Sequence, residues 1–262
     1  MGTAAVQGEL WGAKAQDWSE LQEPRWRPLY DMLLRRAGVG ANTRLLDIGC
    51  GAGGALLAGR DLGAELAGLD ASENLVAVAR KRLPAADIKT GEMEELPFAD
   101  TSFDVVTSFN AFQFAGNIDR AVGEARRVLK PGGKVAMLIW GSREYCELIS
   151  GTLSAVMSLL PPPPPGAPSP LALSDPGVME EMLDRCGFAS PQTGDVDFDL
   201  TFPDRAIALR AIVSAGILVR AMRQLGEEKV KETIAGTFGK FTRGDGSVTY
   251  KNRLRWALAR RP

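Results

Sequence analysis

The stretch LLDIGCGAGGALLAG, residues 45–59, decides how the whole chain is interpreted. Its first residues form an apolar run typical of a buried strand, its glycines form a turn, and GALLAG begins a helix. A glycine-rich turn between a strand and a helix presents backbone N–H groups to a ligand. Gly49, Gly51 and Gly54 also satisfy the pattern G-x-G-x-x-G, which by itself indicates a dinucleotide site.

Asp47, two residues before the first glycine, argues against a dinucleotide. A pyrophosphate would bring about two negative charges to the turn, and the Asp47 carboxylate would repel them. A ligand that carries an amino group or another positive charge would be attracted instead. The turn therefore predicts a cationic or zwitterionic ligand over Gly49 and Gly51.

Strands alternate with helices outward from this turn. The alternation predicts βαβ units, and therefore an α/β fold with a parallel sheet covered by helices on both faces. Ligands of such sheets lie beyond the carboxyl ends of the strands. Strands are predicted at residues 43–49, 64–70, 86–91, 102–110 and 134–141, and helices at 54–63, 72–84 (with Ser72 as N-cap) and 118–129. The residues expected at the ligand rim are Asp47, Asp70, Glu92 and Asn110.

Further helices and strands are predicted on both sides of this central segment. Two of the later strands alternate in polarity and can join the same sheet, which then has seven strands. The predicted flanking elements are helical residues 9–37, a helix at 147–160, an extended proline run at 161–170, a helix at 175–187 with Asp175 as N-cap, a strand at 193–202, helices at 204–226 and 227–241, and a strand at 246–260.

Composition and charge exclude several classes of function. The net charge of the 262 residues is −1 and no basic block occurs, which argues against a nucleic-acid partner. No apolar run approaches the roughly 20 residues of a membrane span, and the N-terminus lacks an apolar stretch of signal-peptide type. We therefore expect a cytoplasmic protein.

The chain contains no histidine and only three cysteines, Cys50, Cys146 and Cys186. The odd number and wide spacing of the cysteines argue against a disulfide framework or a structural zinc site. The absence of histidine excludes Ser-His-Asp and Cys-His catalysis and histidine metal sites. No metal site is predicted.

Four motifs occur in order along the central segment. They are LLDIGCGAGG (45–54), GLDAS (68–72), GEMEELPFADTSFDVVTS (91–108) and RVLKPGGKVAML (127–138). With these motifs the chain resembles the class I S-adenosylmethionine-dependent methyltransferases, especially the branch of quinone and small-molecule methyltransferases. The resemblance is strong over about residues 40–141 and implies a Rossmann-like fold with S-adenosyl-L-methionine as cofactor.

The resemblance implies which residues bind the cofactor. Asp47, Gly49 and Gly51 would form the loop for the methionine end, with Cys50 as a small spacer within it. Asp70 would bind the ribose hydroxyls, since a carboxylate can accept hydrogen bonds from two vicinal hydroxyls.

The same resemblance assigns the adenine and the methyl-transfer region. Ala71 and Met93 would lie against the adenine, and Glu92, where the family usually has Asp, would lie near its amino group. Asn110 would reach the methionine amino group through its backbone carbonyl. The residues expected to face the transferred methyl group and the substrate are Phe112, Gln113 and Phe114; the two phenylalanines could equally be core residues.

The predicted organisation is one methyltransferase domain, residues 1–262, with most of its accessory helices over the site. Trp11 and Trp18 are interpreted either as a core staple or as part of a lid over the cofactor. The predicted parts are an N-terminal helical lid (1–40), a cofactor-binding core (41–202), a helical cap insertion (203–245) and a final strand (246–262).

The predicted function is methyl transfer to a small, partly hydrophobic molecule by in-line displacement. Proximity and desolvation would supply most of the rate, so a general base is not required; Asp17, Tyr30 and Tyr145 are possible bases. The substrate pocket is expected between the N-terminal helices, the segment after the fourth strand and the cap. The apolar face of the cap comprises Ile207, Ala211, Ile212, Ala215, Leu218, Val219 and Met222.

Two alternatives remain open from the sequence. One is a fold relative that binds S-adenosylmethionine without transferring its methyl group, such as a cyclase or a sensor. The other is a nicotinamide oxidoreductase, which Asp47 disfavours. The missing histidine also disfavours it, as does the absence of Lys four residues after any tyrosine.

Overall fold

A seven-stranded sheet forms the centre of the computed structural model, which describes residues 2–162, 164 and 168–262. The strand order is β3-β2-β1-β4-β5-β7-β6; the first five strands are parallel, and β7 runs antiparallel to both β5 and β6. The predicted mostly parallel sheet is confirmed. The strands are β1 (Arg44–Ile48), β2 (Glu65–Asp70), β3 (Asp87–Thr90), β4 (Phe103–Phe109), β5 (Leu129–Trp140), β6 (Ala189–Phe202) and β7 (Val248–Arg260).

Helices cover both faces of the sheet because successive side chains of the buried strands point to opposite sides. The α-helices are α1 (Ala4–Gly12), α2 (Ala15–Asp17), α3 (Arg27–Ala37), α4 (Gly54–Asp61), α5 (Glu73–Arg82), α6 (Ile118–Val128), α7 (Ser154–Met157), α8 (Val178–Arg185), α9 (Arg205–Val213), α10 (Gly216–Leu225) and α11 (Glu227–Thr237). Leu45 packs with α3, α4 and α5, whereas the adjacent Leu46 packs with α6 and α8 on the other face.

The register of the sheet brings the carboxyl ends of the central strands together. Asp47 on β1 pairs with Gly68 on β2 and with Thr107 on β4. Asp70 ends β2, and Ser72 caps α5 by accepting a hydrogen bond from the Leu75 N–H at 3.2 Å, as predicted. The ligand rim is thus built where parallel strands meet their following turns.

The predicted helix at 204–226 is two helices, α9 and α10, in the structure. The Ser214 hydroxyl donates to the Ala211 carbonyl at 2.6 Å, and Ala215 then adopts an extended conformation. A Cβ atom at Gly216 would lie 2.9 Å from the Trp11 ring. The break therefore allows α10 to approach the N-terminal segment closely.

Three other boundaries differ from the sequence prediction. Asp175 was expected to cap a helix, but α8 begins at Val178 behind Gly177, whose φ of +87° suits glycine. The segment 147–160 holds a π-helix, Leu148–Leu153, followed by the short α7. Strand β5 begins at residue 129, before the KPGG segment, and a bulge at this segment shifts its register with β4. Residue 1 and residues 163 and 165–167 of the proline run lie outside the described part of the chain.

The N-terminal segment lies over the carboxyl rim and against the later helices. It comprises α1, α2, a π-helix (Trp18–Gln22), a 3₁₀ helix (Glu23–Trp26) and α3. Three ion pairs join it to residues 203–245: Glu9–Arg223, Lys14–Glu227 and Asp17–Arg210. In the residues that the structure describes, no helix has the length and apolar character needed to cross a membrane.

Candidate cofactor and substrate site

The glycine-rich turn leaves no room for side chains at its first two glycines. Gly49 has a φ of +76°, and a Cβ atom there would lie 2.2 Å from the Ala111 Cβ. Gly51 has a φ of +54°, and its Cβ would lie 2.6 Å from the Glu23 Oε1. Both residues line a cavity that extends beyond the turn.

Asp70 is held at the edge of this turn by two backbone donors. Its Oδ2 accepts from the Gly51 N–H at 2.8 Å and its Oδ1 from the Ser72 N–H at 2.8 Å. Burial raises the pKa of this carboxyl, and the two backbone hydrogen bonds oppose the rise. Each carboxylate oxygen keeps further acceptor capacity, and Asp70 lines the cavity, so it can bind two neighbouring hydroxyls of a ligand.

Two more buried carboxyl groups lie beside the turn. Burial and the nearby Glu23 and Asp70 raise the pKa of Asp47 to about 8, although the Thr107 hydroxyl donates to it at 2.7 Å. Burial raises the pKa of Glu23 to about 7 despite its partners: the Ala52 N–H at 2.6 Å and the Arg82 guanidinium at 3.1 Å. This surplus of acidic groups favours a ligand with positive charge and disfavours a pyrophosphate.

The residues predicted around the adenine separate into two places. Ala71 and Met93 line the cavity. Glu92 faces a neighbouring groove against α1, where its Oε2 accepts from the Ala4 N–H at 2.9 Å and its Oε1 from the Glu94 N–H at 3.2 Å. Glu92 therefore holds the N-terminal segment, and its contact with an adenine stays a prediction.

Asn110 lines the cavity in a strained backbone conformation. Its φ is +53°, a region that costs a non-glycine residue roughly 1–2 kcal/mol. Its N–H donates to the Leu138 carbonyl at 2.7 Å, and its Oδ1 accepts from the Trp140 N–H at 3.1 Å. With the side chain so engaged, the backbone carbonyl is the group of Asn110 best able to receive a ligand ammonium.

The three residues predicted to face the substrate do not share one environment. Phe114 lines the cavity and packs edge-on against Trp11 at 5.6 Å. Phe112 is fully buried in the core and Gln113 is 1% exposed; within the described chain neither lines the cavity. Cys50 is likewise buried, with its Sγ towards Gly68 rather than in the cavity wall.

Beyond the glycine turn the cavity opens into a chamber with aromatic walls. The whole cavity, from the glycine turn to this chamber and with the open solvent at its mouth, has a volume of about 1160 Å³. Across residues 2–162, 164 and 168–262, no lysine or arginine lines it. The chamber is lined by Trp18, Trp26, Tyr30, Phe109, Phe114, Trp140, Leu148, Leu153, Ile212, Ala215, Ile217 and Leu218, so three of the seven predicted cap residues face it.

Sequence reasoning missed most of the contribution of the N-terminal segment. Trp18, Gln22, Trp26 and Tyr30 all line the cavity and recur every fourth residue, as neighbours on one face of a helix do. That spacing was the available signal. No sequence signal indicated the role of Glu23, because that role depends on contact with a turn 29 residues away.

Of the three possible general bases, only Tyr30 lies in the cavity. Asp17 is paired with Arg210 at 2.6 Å, and Tyr145 is 53% exposed beneath the Arg253 guanidinium. Burial raises the pKa of Tyr30 well above its usual value, so its phenol stays protonated and is a poor general base. The described residues include no group of three acidic, histidine or cysteine side chains that could hold a metal ion.

S-adenosylmethionine fits these observations. Its ammonium and sulfonium charges suit the surplus of carboxyl groups at the glycine turn. Its methionine end suits the cavity surface that Gly49 and Gly51 form. Its ribose diol suits the free acceptor capacity of Asp70, and its adenine suits the gap lined by Ala71 and Met93.

Comparison with known proteins identifies the family. Residues 46–137 match the family described as "Methyltransferase domain". The chain is 32% identical over 205 residues to malonyl-[acyl-carrier protein] O-methyltransferase of Erwinia pyrifoliae, covering 78% of this chain and 73% of that protein. It is 39% identical over 110 residues to the enzyme of that name from Methylococcus capsulatus, covering 40% of each.

A solved structure of the same fold contains the demethylated cofactor. It is phosphoethanolamine N-methyltransferase 2 of Haemonchus contortus with S-adenosylhomocysteine, which has a TM-score of 0.57 at 21% identity. The match covers 90% of this chain and 52% of that one. The chain thus spans about half or less of the length of several relatives that it matches. From the motifs, the fold and these matches, the chain belongs to the class I S-adenosylmethionine-dependent methyltransferases.

Proposed function

We propose that the protein transfers the methyl group of S-adenosylmethionine to a small, partly hydrophobic molecule. The observation that carries the proposal is the continuity of the cavity. One continuous space joins the turn at Gly49 and Gly51 with the apolar chamber between Trp26 and Leu218. A substrate in the chamber would thus lie next to the methionine end of the cofactor.

The proposed substrate is uncharged. The malonyl-[acyl-carrier protein] named for the relatives carries a carboxyl group. A buried carboxylate needs a cationic or multiple hydrogen-bonding partner, and no such cation lines the described cavity. The apolar walls instead favour a neutral molecule.

The protein's own contribution is to orient the reactants and exclude water. The bound cofactor supplies a methyl group that is already activated by the sulfonium. Asp70, the backbone at Gly51 and the Asn110 carbonyl would fix the position of the cofactor, and the aromatic walls would hold the nucleophile in line. Alignment of this kind accounts for large rate increases without a general base.

The N-terminal segment and the cap would act as a cover for this reaction. We propose the lid (1–40), core (41–202), cap (203–245) and final strand (246–262) as functional parts of one domain. The Thr3 hydroxyl supports this assignment of the lid, because it donates to the Phe114 carbonyl at 2.7 Å. Its ion pairs to the cap would have to open when substrate enters.

The proposed function is tested by calorimetric titration and by methyl transfer. We expect micromolar binding of S-adenosylmethionine and S-adenosylhomocysteine and none of NAD. A screen of neutral aromatic and isoprenoid compounds with methyl-labelled cofactor should then give a labelled product. Cofactor that binds but is never consumed would favour the cyclase or sensor alternative, and binding of NAD would contradict the proposal.

The affinity for the positively charged cofactor is expected to rise with pH. The pKa of Glu23, about 7, lies above its usual value of 4.5, so the ligand-free protein holds a proton there at pH 6. A sulfonium favours the ionised carboxylate, so binding releases protons below this pKa. Relative to S-adenosylhomocysteine, which lacks the sulfonium, the affinity for S-adenosylmethionine should increase about tenfold from pH 6 to pH 8.5.

Calorimetry over this pH range, in two buffers with different ionisation enthalpies, checks both the affinity and the proton release. Glu23→Gln should reduce the change of the affinity ratio with pH and leave the part that belongs to Asp47, whose pKa is about 8. Glu65→Gln, at an exposed residue of β2 paired with Arg44, should leave the ratio unchanged. A ratio that stays constant with pH in the wild-type protein would contradict the prediction. The difference between the two ligands removes the titration of their shared amino group.

A further inference from the structure

Two buried polar groups in the wall of the chamber have no partner in the described chain. Gln22 is 4% exposed and its Oε1 accepts no hydrogen bond; Trp26 is 5% exposed and its Nε1–H donates none. Both residues line the cavity. Because an unpaired buried polar group is costly, such groups at a cavity wall indicate a ligand that supplies the missing partner.

The two residues are four positions apart on the N-terminal segment, and both line the same cavity. Gln22 ends the π-helix and Trp26 ends the following 3₁₀ helix, so the residues are one helical turn apart. The Trp26 ring packs edge-on against Trp140 at 5.2 Å and lies tilted by 36° against Phe198 at 5.3 Å. This packing holds the indole and fixes the direction of its N–H.

Their chemistry selects the ligand group. The indole N–H only donates, and the amide Oε1 only accepts. A hydroxyl can satisfy both at once, because its oxygen accepts from the indole while its hydrogen is donated to the amide. A carboxylate would repel the amide oxygen without a compensating cation in the described wall, and an ammonium would face the indole N–H.

We propose that Gln22 and Trp26 form the hydroxyl-recognition pair of the substrate site, and that the substrate is an uncharged aromatic or alicyclic ring compound with a hydroxyl group. This inference rests on the proposed function. The ring is indicated by the walls: Trp26, Trp140 and Phe109 offer broad apolar surfaces for stacking.

Four probes with one ring and different heads test the pair: naphthalene, 2-naphthol, 2-naphthoate and 2-naphthylmethylammonium. Their dissociation constants would be measured by calorimetry with and without saturating S-adenosylhomocysteine. We expect 2-naphthol to bind at least about tenfold more tightly than naphthalene, and more tightly than both charged probes.

Two variants isolate the hydrogen bonds from the packing. Trp26→Phe keeps an aromatic ring and Gln22→Met keeps the side-chain length. Each should reduce the naphthol preference to about threefold or less while the naphthalene affinity is retained. Trp256→Phe on β7, stacked under Arg36 and away from the chamber, is the matched control and should leave the preference unchanged.

The inference is overturned if a charged probe binds most tightly, if both variants keep the naphthol preference, or if none of the four probes binds. Melting temperatures of the variants show whether they fold. The test is separate from that of the proposed function, because probe binding requires no methyl transfer. Failure of the protein to bind S-adenosylmethionine would overturn the proposed function and leave the naphthol preference measurable.

Discussion

Replacement of Asp70 by alanine is expected to weaken S-adenosylmethionine binding by at least about 100-fold, because charge-assisted hydrogen bonds to two ribose hydroxyls are lost together. The substitution also leaves the N–H groups of Gly51 and Ser72 without the hydrogen bonds that they donate to Asp70, each at 2.8 Å. The position of the glycine turn then becomes less defined. Calorimetric titration of the variant measures the loss.

Two variants sharpen this test. Asp70→Asn keeps one carbonyl acceptor and should fall between the wild type and the alanine variant. Asp87→Ala removes an exposed carboxylate at the start of β3, paired only with Lys89, and should bind the cofactor normally. If Asp70→Ala bound the cofactor like the wild type while its melting temperature was unchanged, Asp70 would not be the ribose-binding residue.

Gly49→Ala is expected to lower the free energy of unfolding by about 3 kcal/mol, and to remove cofactor binding with it. Two effects add. The φ of +76° disfavours any residue with a Cβ atom, and the new Cβ would lie 2.2 Å from that of Ala111. Ala111 directly follows Asn110, so any shift of Ala111 that relieves the clash would also displace Asn110 on the other side of the site. Urea denaturation with and without cofactor measures both losses.

The same substitution at Gly123 provides the control. Gly123 lies within α6, and in the described structure a Cβ atom there meets nothing within 4 Å. Alanine is the better helix former, so Gly123→Ala should raise the stability by up to about 1 kcal/mol. Equal effects of the two substitutions would show that the turn at Gly49 is not conformationally constrained.

The sheet could be predicted because each of its strands is bounded by a local signal. Glycine, proline or a helix cap such as Ser72 ends each apolar run of the central segment. The break between α9 and α10 could not be predicted, because the apolar periodicity continues through Ser214 and Ala215. The close packing of α10 against Trp11 determines where the helix breaks. The prediction that Asp175 caps a helix was wrong, because the helix begins later, after Gly177 with its positive φ.

The positions of the residues proposed for the cofactor end could be predicted for the same reason: they follow strands that the sequence reveals. The substrate end depends on distant parts of the chain. Whether Phe112 or Phe114 faces the chamber is set by one 3₁₀ turn, which no hydrophobic pattern specifies. Glu23, Gln22 and Trp26 enter the site only because the N-terminal segment folds back over the rim.

The two ends of the sheet also bear on how the protein avoids aggregation. An exposed edge strand is a template for another chain, and long edges carry the greater hazard. Here one edge is β3, only four residues long. The other is the 14-residue β6, whose exposed alternate residues Asp195, Asp197 and Asp199 put like charges along its length. A second copy approaching that edge would bring its own acidic residues against Asp195 and Asp199, while Asp197 is already paired with Arg253 at 2.7 Å. Intermolecular strand pairing is therefore disfavoured by charge at β6 and by the short length of β3.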